Sequence, residues 1–303
     1  MKKKLLLILL LIMMVALPLF ANGVSESTPI EHDSDTLYTD SFSRIVRVPA
    51  DISRIVSLGP NITEAVFALG LGENLVGRTD YCDFPVEVFE LTSVGSISDP
   101  NVETIIELDP DLVIGSTHTK KETLDRLEDA GITTVGIYSD NSMNGVYKTI
   151  ADLGMILRVE DTATATITEM KDTINMITEK IEGADTPSVY YVVGFGEWGD
   201  FTAGGDTFIH DIITLAGGAN IAADVKGWSY SLERIIENDP DIIICSQYWG
   251  TPEMFVSTPA YEDLRAVKEG HLYAIDNNML DRQGVRNAQG ALTLAKIFHP
   301  ELF

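Results

Sequence analysis

One segment of this chain occurs twice, and that repeat constrains the fold more than any other feature. VETIIELDPDLVIGS at Val102–Ser116 aligns without a gap on LERIIENDPDIIICS at Leu232–Ser246. Nine of the fifteen positions are identical: Glu103/Glu233, Ile105/Ile235, Ile106/Ile236, Glu107/Glu237, Asp109/Asp239, Pro110/Pro240, Asp111/Asp241, Ile114/Ile244 and Ser116/Ser246. Each copy reads as a short helix that docks through its paired isoleucines. Asp-Pro then stops the helix, because proline disfavours the helical region for the residue before it. The apolar run that follows suits a buried strand, and Ser116 and Ser246 mark the ends of equivalent strands. A weaker echo relates Glu64–Asn74 to Asp211–Asn220 with one gap. The competing explanation, a chance match of helix-turn-strand grammar, has to supply fifteen gapless positions.

Strand and helix patterns alternate around both copies. Short β-branched runs at Ile45–Val48, Ile55–Leu58, Leu75–Gly77, Leu112–Ile114 and Thr133–Tyr138 flank helical segments at Thr63–Leu69, Val102–Leu108 and Lys121–Ala130. The alternation restarts at Ser188–Val193 and continues through Thr207–Ala216, Leu232–Glu237, Ile242–Ile244, Leu272–Ile275 and Ala288–Phe298. Such alternation predicts parallel sheets covered on both faces. Between the two series, Val159–Ile181 carries Ile167, Met170, Ile174, Ile177 and Ile181 at helical spacing, with no glycine or proline before Gly183. The expected architecture is therefore α/β: two Rossmann-like lobes at 44–158 and 184–303, joined by one long helix over 159–183, with a ligand cleft between them. The alternative for that helix is an ordinary surface element of one continuous domain. In open α/β sheets ligands bind beyond the carboxyl ends of the strands, so two such lobes facing each other make a shared crevice.

The N-terminus reads as a targeting segment. Lys2, Lys3 and Lys4 precede an apolar run from Leu5 to Ala16, Pro18 breaks it, and Ala21 offers a small residue for cleavage. This is the pattern of a cleavable secretory signal peptide at 1–21, followed by a polar, flexible leader at 22–43. The rival is an uncleaved anchor, although the uncharged stretch is short for a spanning helix. No cysteine follows the apolar run. The 303 residues carry 21 Lys+Arg against 46 Asp+Glu, a formal charge of −25, which repels phosphate backbones and excludes nucleic acid as a partner. The same acidity suits a cationic partner surface, or serves solubility alone. The two cysteines, Cys82 and Cys245, fall in different halves and are expected to be free, partly buried thiols; two lone cysteines also lack zinc-site spacing.

With export, paired lobes and a central helix in place, the chain resembles the periplasmic binding proteins of the helical-backbone class, which serve ABC importers of cobalamin, haem and ferric siderophores. The residues that carry the resemblance are Arg54–Glu64, Ala68–Gly72, Val76-Gly77, Asp80–Pro85, Val94-Gly95, Asn101–Ser116 and Gly217–Asn220, within a span of about 44–303. It implies a monomeric, non-enzymatic periplasmic receptor. Such a receptor captures a metal chelate and hands it to a permease dimer; it has no cofactor of its own, because iron or cobalt arrives within the ligand. It also implies that Glu103 and Glu233, the first charged residues of the two repeat units, dock on permease arginines, with Glu64 as the runner-up. An acid near a helix N-terminus is stabilising in any case. By the same resemblance Tyr81, Trp228 and the pair Asp281-Arg282 face the cleft. Ile97 and Ser116 stand where cobalamin-binding members carry tryptophan, which weighs against cobalamin itself.

Other candidate contacts come from the residues themselves. Phe195, Trp198 and Phe201 lie in a glycine-rich loop, Gly194–Gly205, and aromatic faces suit flat macrocycles; the alternative is that they cap the lobe core. His118, two residues past Ser116, offers an imidazole for an axial metal position, or is a solvated loop histidine. Tyr81 or Tyr138 offers a phenolate. No His, Asp and Glu cluster has the spacing of a bare zinc or manganese site. Gly194–Gly199 spells Gly-x-Gly-x-x-Gly, but Phe195, Trp198 and the lack of an immediate helix argue against pyrophosphate binding. With no Walker lysine and no Gly-x-Ser-x-Gly, a Rossmann-type enzyme is the weaker alternative, beside a sensory or adhesive extracytoplasmic domain.

Overall fold

The computed structural model describes residues 35–303 except Trp198. The expected signal peptide, the first part of the leader and the Trp198 contact lie outside the described residues. The last part of the leader is not loose. Thr36–Thr39 (β1) pairs antiparallel with Ile45–Val48 (β2), and Tyr38, Val46 and Val48 are buried. The Asp40 carboxylate folds the connecting turn, accepting from the backbone N–H groups of Phe42, Arg44 and Gly136 and from the Arg44 guanidinium. With four residues in the strand, too few alternate to distinguish it from a polar tail.

The first lobe is a parallel sheet of β3 (Ile55–Ser57), β4 (Leu75–Arg78), β5 (Thr92–Ser93), β6 (Leu112–Gly115) and β7 (Thr134–Gly136), ordered β5-β4-β3-β6-β7. Its helices are α1 (Pro60–Ala68), with proline in the first turn where no donor is needed, α2 (Val102–Glu107), α3 (Lys121–Asp129) and α4 (Met143–Ile156). The long helix α5 (Glu160–Lys180) follows.

The second lobe contains β8 (Ser188–Tyr191), β9 (Asp200–Phe201), α6 (Phe208–Leu215), β10 (Ala219–Asn220), β11 (Ser229–Tyr230), α7 (Leu232–Asn238) and β12 (Ile242–Ser246). It continues with α8 (Thr251–Ser257), α9 (Arg265–Lys268), β13 (Leu272–Ile275), α10 (Asn278–Asp281) and α11 (Asn287–Phe298). Its parallel sheet is ordered β10-β8-β12-β13, while β9 and β11 form a small antiparallel pair.

The long helix is packed along its length. Met170, Ile174 and Ile177 are buried in one hydrophobic core that includes Val146, Ile150 and Leu153 of α4 and Ala291, Leu294 and Phe298 of α11. Gly154 lets α4 and α5 approach closely, since a Cβ there would sit 2.4 Å from that of Ala163. The two lobes thus share a core instead of hanging from a bare strut.

The repeat holds at atomic level. α2 is capped by the Asn101 side chain and α7 by Ser231. Asp109 and Asp239 both leave their helices at left-handed φ, 46° and 39°, a conformation that aspartate tolerates, while the following proline disfavours a further helical turn. Only one isoleucine of each pair points inward. Ile105 and Ile235 are fully buried, whereas Ile106 and Ile236 are 42% and 48% exposed. At 100° per residue, neighbouring positions on a helix cannot both face the sheet.

The second aspartate of each Asp-Pro-Asp ties the following strand to its neighbour. Asp111 accepts from Ser53 N (2.8 Å), Ser53 Oγ (3.0 Å) and Arg54 N (2.9 Å); Asp241 accepts from Ser188 N (2.8 Å) and Ser188 Oγ (2.6 Å). Partial burial acts to raise the pKa of Asp111, but the hydrogen bonds from Ser53 and Arg54 outweigh it and hold the carboxyl below the ordinary 3.8. The bonds from Ser188 depress Asp241 in the same direction. A carboxylate depressed on folding stabilises the protein fully above its unfolded pKa, and the contribution is lost as pH falls through the folded value. Both groups are partly solvated, so Asp111→Ala and Asp241→Ala are each expected to cost about 1 kcal/mol at neutral pH. In thermal melts across pH 2–7 the double variant should lose less melting temperature below about pH 4 than the parent; parallel curves would refute the assignment.

Candidate functional site

The seam between the lobes is built around one carboxylate. Glu64, in the second turn of α1, has a side chain only 1% exposed and is gripped by two arginines of the other lobe. Arg282 Nη1 donates to Glu64 Oε1 at 2.7 Å, and Arg286 donates through Nε to Oε2 at 2.8 Å and through Nη2 to Oε1 at 2.9 Å. Arg282 also reaches Asp83 Oδ1 (2.6 Å) and the Tyr81 carbonyl (3.0 Å), while Arg286 reaches Asp276 Oδ2 (2.9 Å) and lies 4.3 Å from the Phe84 ring centroid. This corrects the expectation that Glu64 is a second-choice docking residue: it is buried and fully engaged. The expected role of Arg282 changes with it, because its guanidinium holds the 80–85 loop in place and presents no free charge to a ligand.

A line of polar contacts runs along the same seam. Ser116 Oγ donates to Asn61 Oδ1 at 2.7 Å, and Ser246 Oγ donates to Asn277 Oδ1 at 2.7 Å, so the two repeat serines make matching bonds at their strand ends. Asn61 Nδ2 in turn donates to the Gln283 carbonyl, and Gln283 Nε2 donates to the Asp140 carbonyl. The segment 277–286, from the end of β13 into α11, is thus wedged against the first lobe. Asp281 within it accepts from the Tyr191 hydroxyl and from Asn277 Nδ2; the residue keeps an exposed edge, yet desolvation by the protein around its carboxyl pushes that group above the ordinary carboxylate range.

Beyond the ends of β8 and β12 opens a cavity of about 670 Å³ lined by Val192–Glu197, Ser246, Trp249, Thr251, Met254, Ser257–Pro259, Asn277 and Asp281. A larger cavity, about 860 Å³, lies at the other end of the same sheet, beside Asp241 and His271 where β12 and β13 begin. The smaller one has the position that α/β sheets use for ligands, at the strand carboxyl ends.

The structure separates the candidate contacts. Asp281 lines the cavity, and Ser246, the repeat partner of Ser116, lines it too. Phe195 lines it with one edge but packs in the lobe core, its ring 5.0 Å from Phe255 and 5.7 Å from Tyr261. Tyr81 is 60% exposed at the seam loop, and Trp228 is 44% exposed just before β11, where its carbonyl accepts from Thr202. Neither lines this cavity. His118 is exposed beyond β6. Cys82 and Cys245 are free, and both are buried outright instead of partly; burial raises the Cys245 thiol to about 11. Sequence reading missed Trp249, Met254, Asn61 and Asn277. A signal for Trp249 existed: it stands three residues beyond the second repeat serine, directly before the Gly250-Thr251-Pro252 start of α8.

The profile of the periplasmic binding protein family matches residues 55–279. The chain belongs to that family. The substrate-binding lipoprotein YvrC of an uncharacterised ABC transporter in Bacillus subtilis (strain 168) is 32% identical over 272 residues, covering 87% of this chain and 85% of the relative. A cobalamin-binding protein of Halobacterium salinarum is 29% identical over 299 residues, covering 92% and 80% of the two chains. Among solved structures, the periplasmic haem-binding protein RhuT from Roseiflexus sp. RS-1, in apo form, superposes with a TM-score of 0.76 at 25% identity over 84% of this chain and all of that one. Haemophilus influenzae MolA bound to molybdate, at TM-score 0.78 and 17% identity over 89% and 93%, shares the fold.

Within this family fold, the Glu64 cluster fixes how the lobes meet. Glu64→Ala leaves two half-buried guanidinium groups without their shared partner, although each keeps a second acid; the change is expected to cost about 3 kcal/mol. Urea unfolding followed by circular dichroism should show that loss; a change below about 1 kcal/mol would mean the cluster is incidental.

Proposed function

We propose that this protein is the periplasmic receptor of an ABC importer, exported by its N-terminal signal, that binds a metal chelate between its lobes and presents it to a dimeric permease without chemical change. The observation that carries this reading is the cavity of about 670 Å³ at the strand ends, beside a seam where each lobe contributes a repeat serine and an asparagine. Its polar groups satisfy one another: Ser246 bonds Asn277, Asn277 bonds Asp281, and Thr251 bonds the Tyr248 carbonyl. Each serine donates to an asparagine oxygen, an arrangement that suits holding a polar ligand. The relatives named for cobalamin and haem support the same class.

Delivery rests on Glu103 and Glu233. Both are exposed in the first turns of α2 and α7, equivalent helices on the two lobes, and the Glu103 side chain is 76% exposed with Arg126 no nearer than 3.6 Å. Ile106 and Ile236 lie three residues on, exposed on the same helix faces, so each acid has an apolar neighbour for a partner to cover. The double charge reversal Glu103→Arg and Glu233→Arg is expected to abolish uptake of the labelled ligand in cells while binding by the purified protein stays within twofold. Undiminished uptake would overturn the docking assignment. Visible absorbance of the protein purified from its native cells tests the ligand class, through a corrin, Soret or ferric charge-transfer band.

A further inference from the structure

We infer that the cavity at the strand ends of the second lobe selects a flat chelate with no net negative charge, and that Trp249 is the residue that stacks on it. This rests on the metal-chelate reading above and narrows it.

The charge argument comes from what lines the cavity. Its described residues include two carboxylates, Glu197 and Asp281, and no lysine, arginine or histidine. The nearest arginine in sequence, Arg282, is turned to Glu64, Asp83 and the Tyr81 carbonyl, and Arg286 is held by Glu64 and Asp276. The whole chain carries −25. A low-dielectric recess with acidic walls, in a strongly acidic protein, disfavours an anion that has no cation to meet it. Neutral polar groups such as amides are what Ser246 and Asn277 can exchange hydrogen bonds with.

The stacking argument comes from Trp249. It lines the cavity and is 81% exposed, the most exposed of the large apolar side chains among the described residues. Its backbone is left-handed, φ 58°, which bulky residues avoid, and Gly250 follows at φ 69°. Its described ring neighbour is Tyr248, tilted at 57° with centroids 5.8 Å apart. An unfavourable backbone conformation and a bare indole gain the protein nothing in the empty state. Strain of this kind collects at sites where a ligand gives the return. Met254, 49% exposed on the same wall, adds a pliable apolar surface, and Val192 and Pro259 complete it.

Isothermal titration of the purified protein with three probes tests both parts: cyanocobalamin (neutral), haemin (two carboxylates) and iron(III) tris-catecholate (a trianion). Cyanocobalamin is expected to bind at least tenfold more tightly than either anion, with Trp249 supplying the aromatic face that Ile97 and Ser116 lack. Trp249→Ala should weaken it at least tenfold, and Trp249→Phe should restore affinity to within about threefold, with unchanged circular dichroism in both. Equal or tighter binding of haemin or the catecholate would overturn the charge selection and leave chelate capture standing. Unaltered affinity in Trp249→Ala would overturn the stacking role. Binding of none of the three would overturn this inference together with the function it rests on.

Discussion

A single buried carboxylate decides how the two halves of this protein meet. Glu64 lies in a helix of the first lobe with its side chain closed off from water, and it is held in place by two guanidinium groups from the second. A buried ion group like this is not a strong source of net stability, because desolvation offsets much of the attraction. What it supplies is geometry. Arg282 and Arg286 each reach back from Glu64 to a second acid, Asp83 or Asp276, so loop 80–85, the end of β13 and the start of α11 are all positioned by one cluster. The cavity wall at Asn277 and Asp281 is the far side of that same segment.

The duplicated unit explains why two lobes can present equivalent surfaces on both ends. At one end, Asp111 and Asp241 tie the incoming strand to its neighbour; at the other, Ser116 and Ser246 each donate to an asparagine at the seam. Between them, one short helix per lobe turns a glutamate and an isoleucine outward.

The alternation of strands and helices, the long central helix and the repeat were all legible in the sequence, because each is a local pattern of apolar spacing and turn residues. The cluster at the seam was not. Glu64 and Arg282 are 218 residues apart, and nothing local distinguishes a buried glutamate in a first helix from an exposed one. The paired isoleucines misled for a related reason: in helices of six or seven residues, periodicity does not show which of two adjacent apolar positions faces in. Trp249 escaped notice because its exposure follows from a left-handed backbone turn, which hydrophobic patterning does not encode.

The core shared by α4, α5 and α11 has a consequence for how cargo changes hands. Lobes fused through a common interior cannot swing wide, so the crevice is nearly shaped for its cargo before the cargo arrives, and little order has to be created on capture. The same stiffness works against letting go. On the function proposed above, unloading would then need a partner that forces the walls apart, with the energy supplied from outside the receptor.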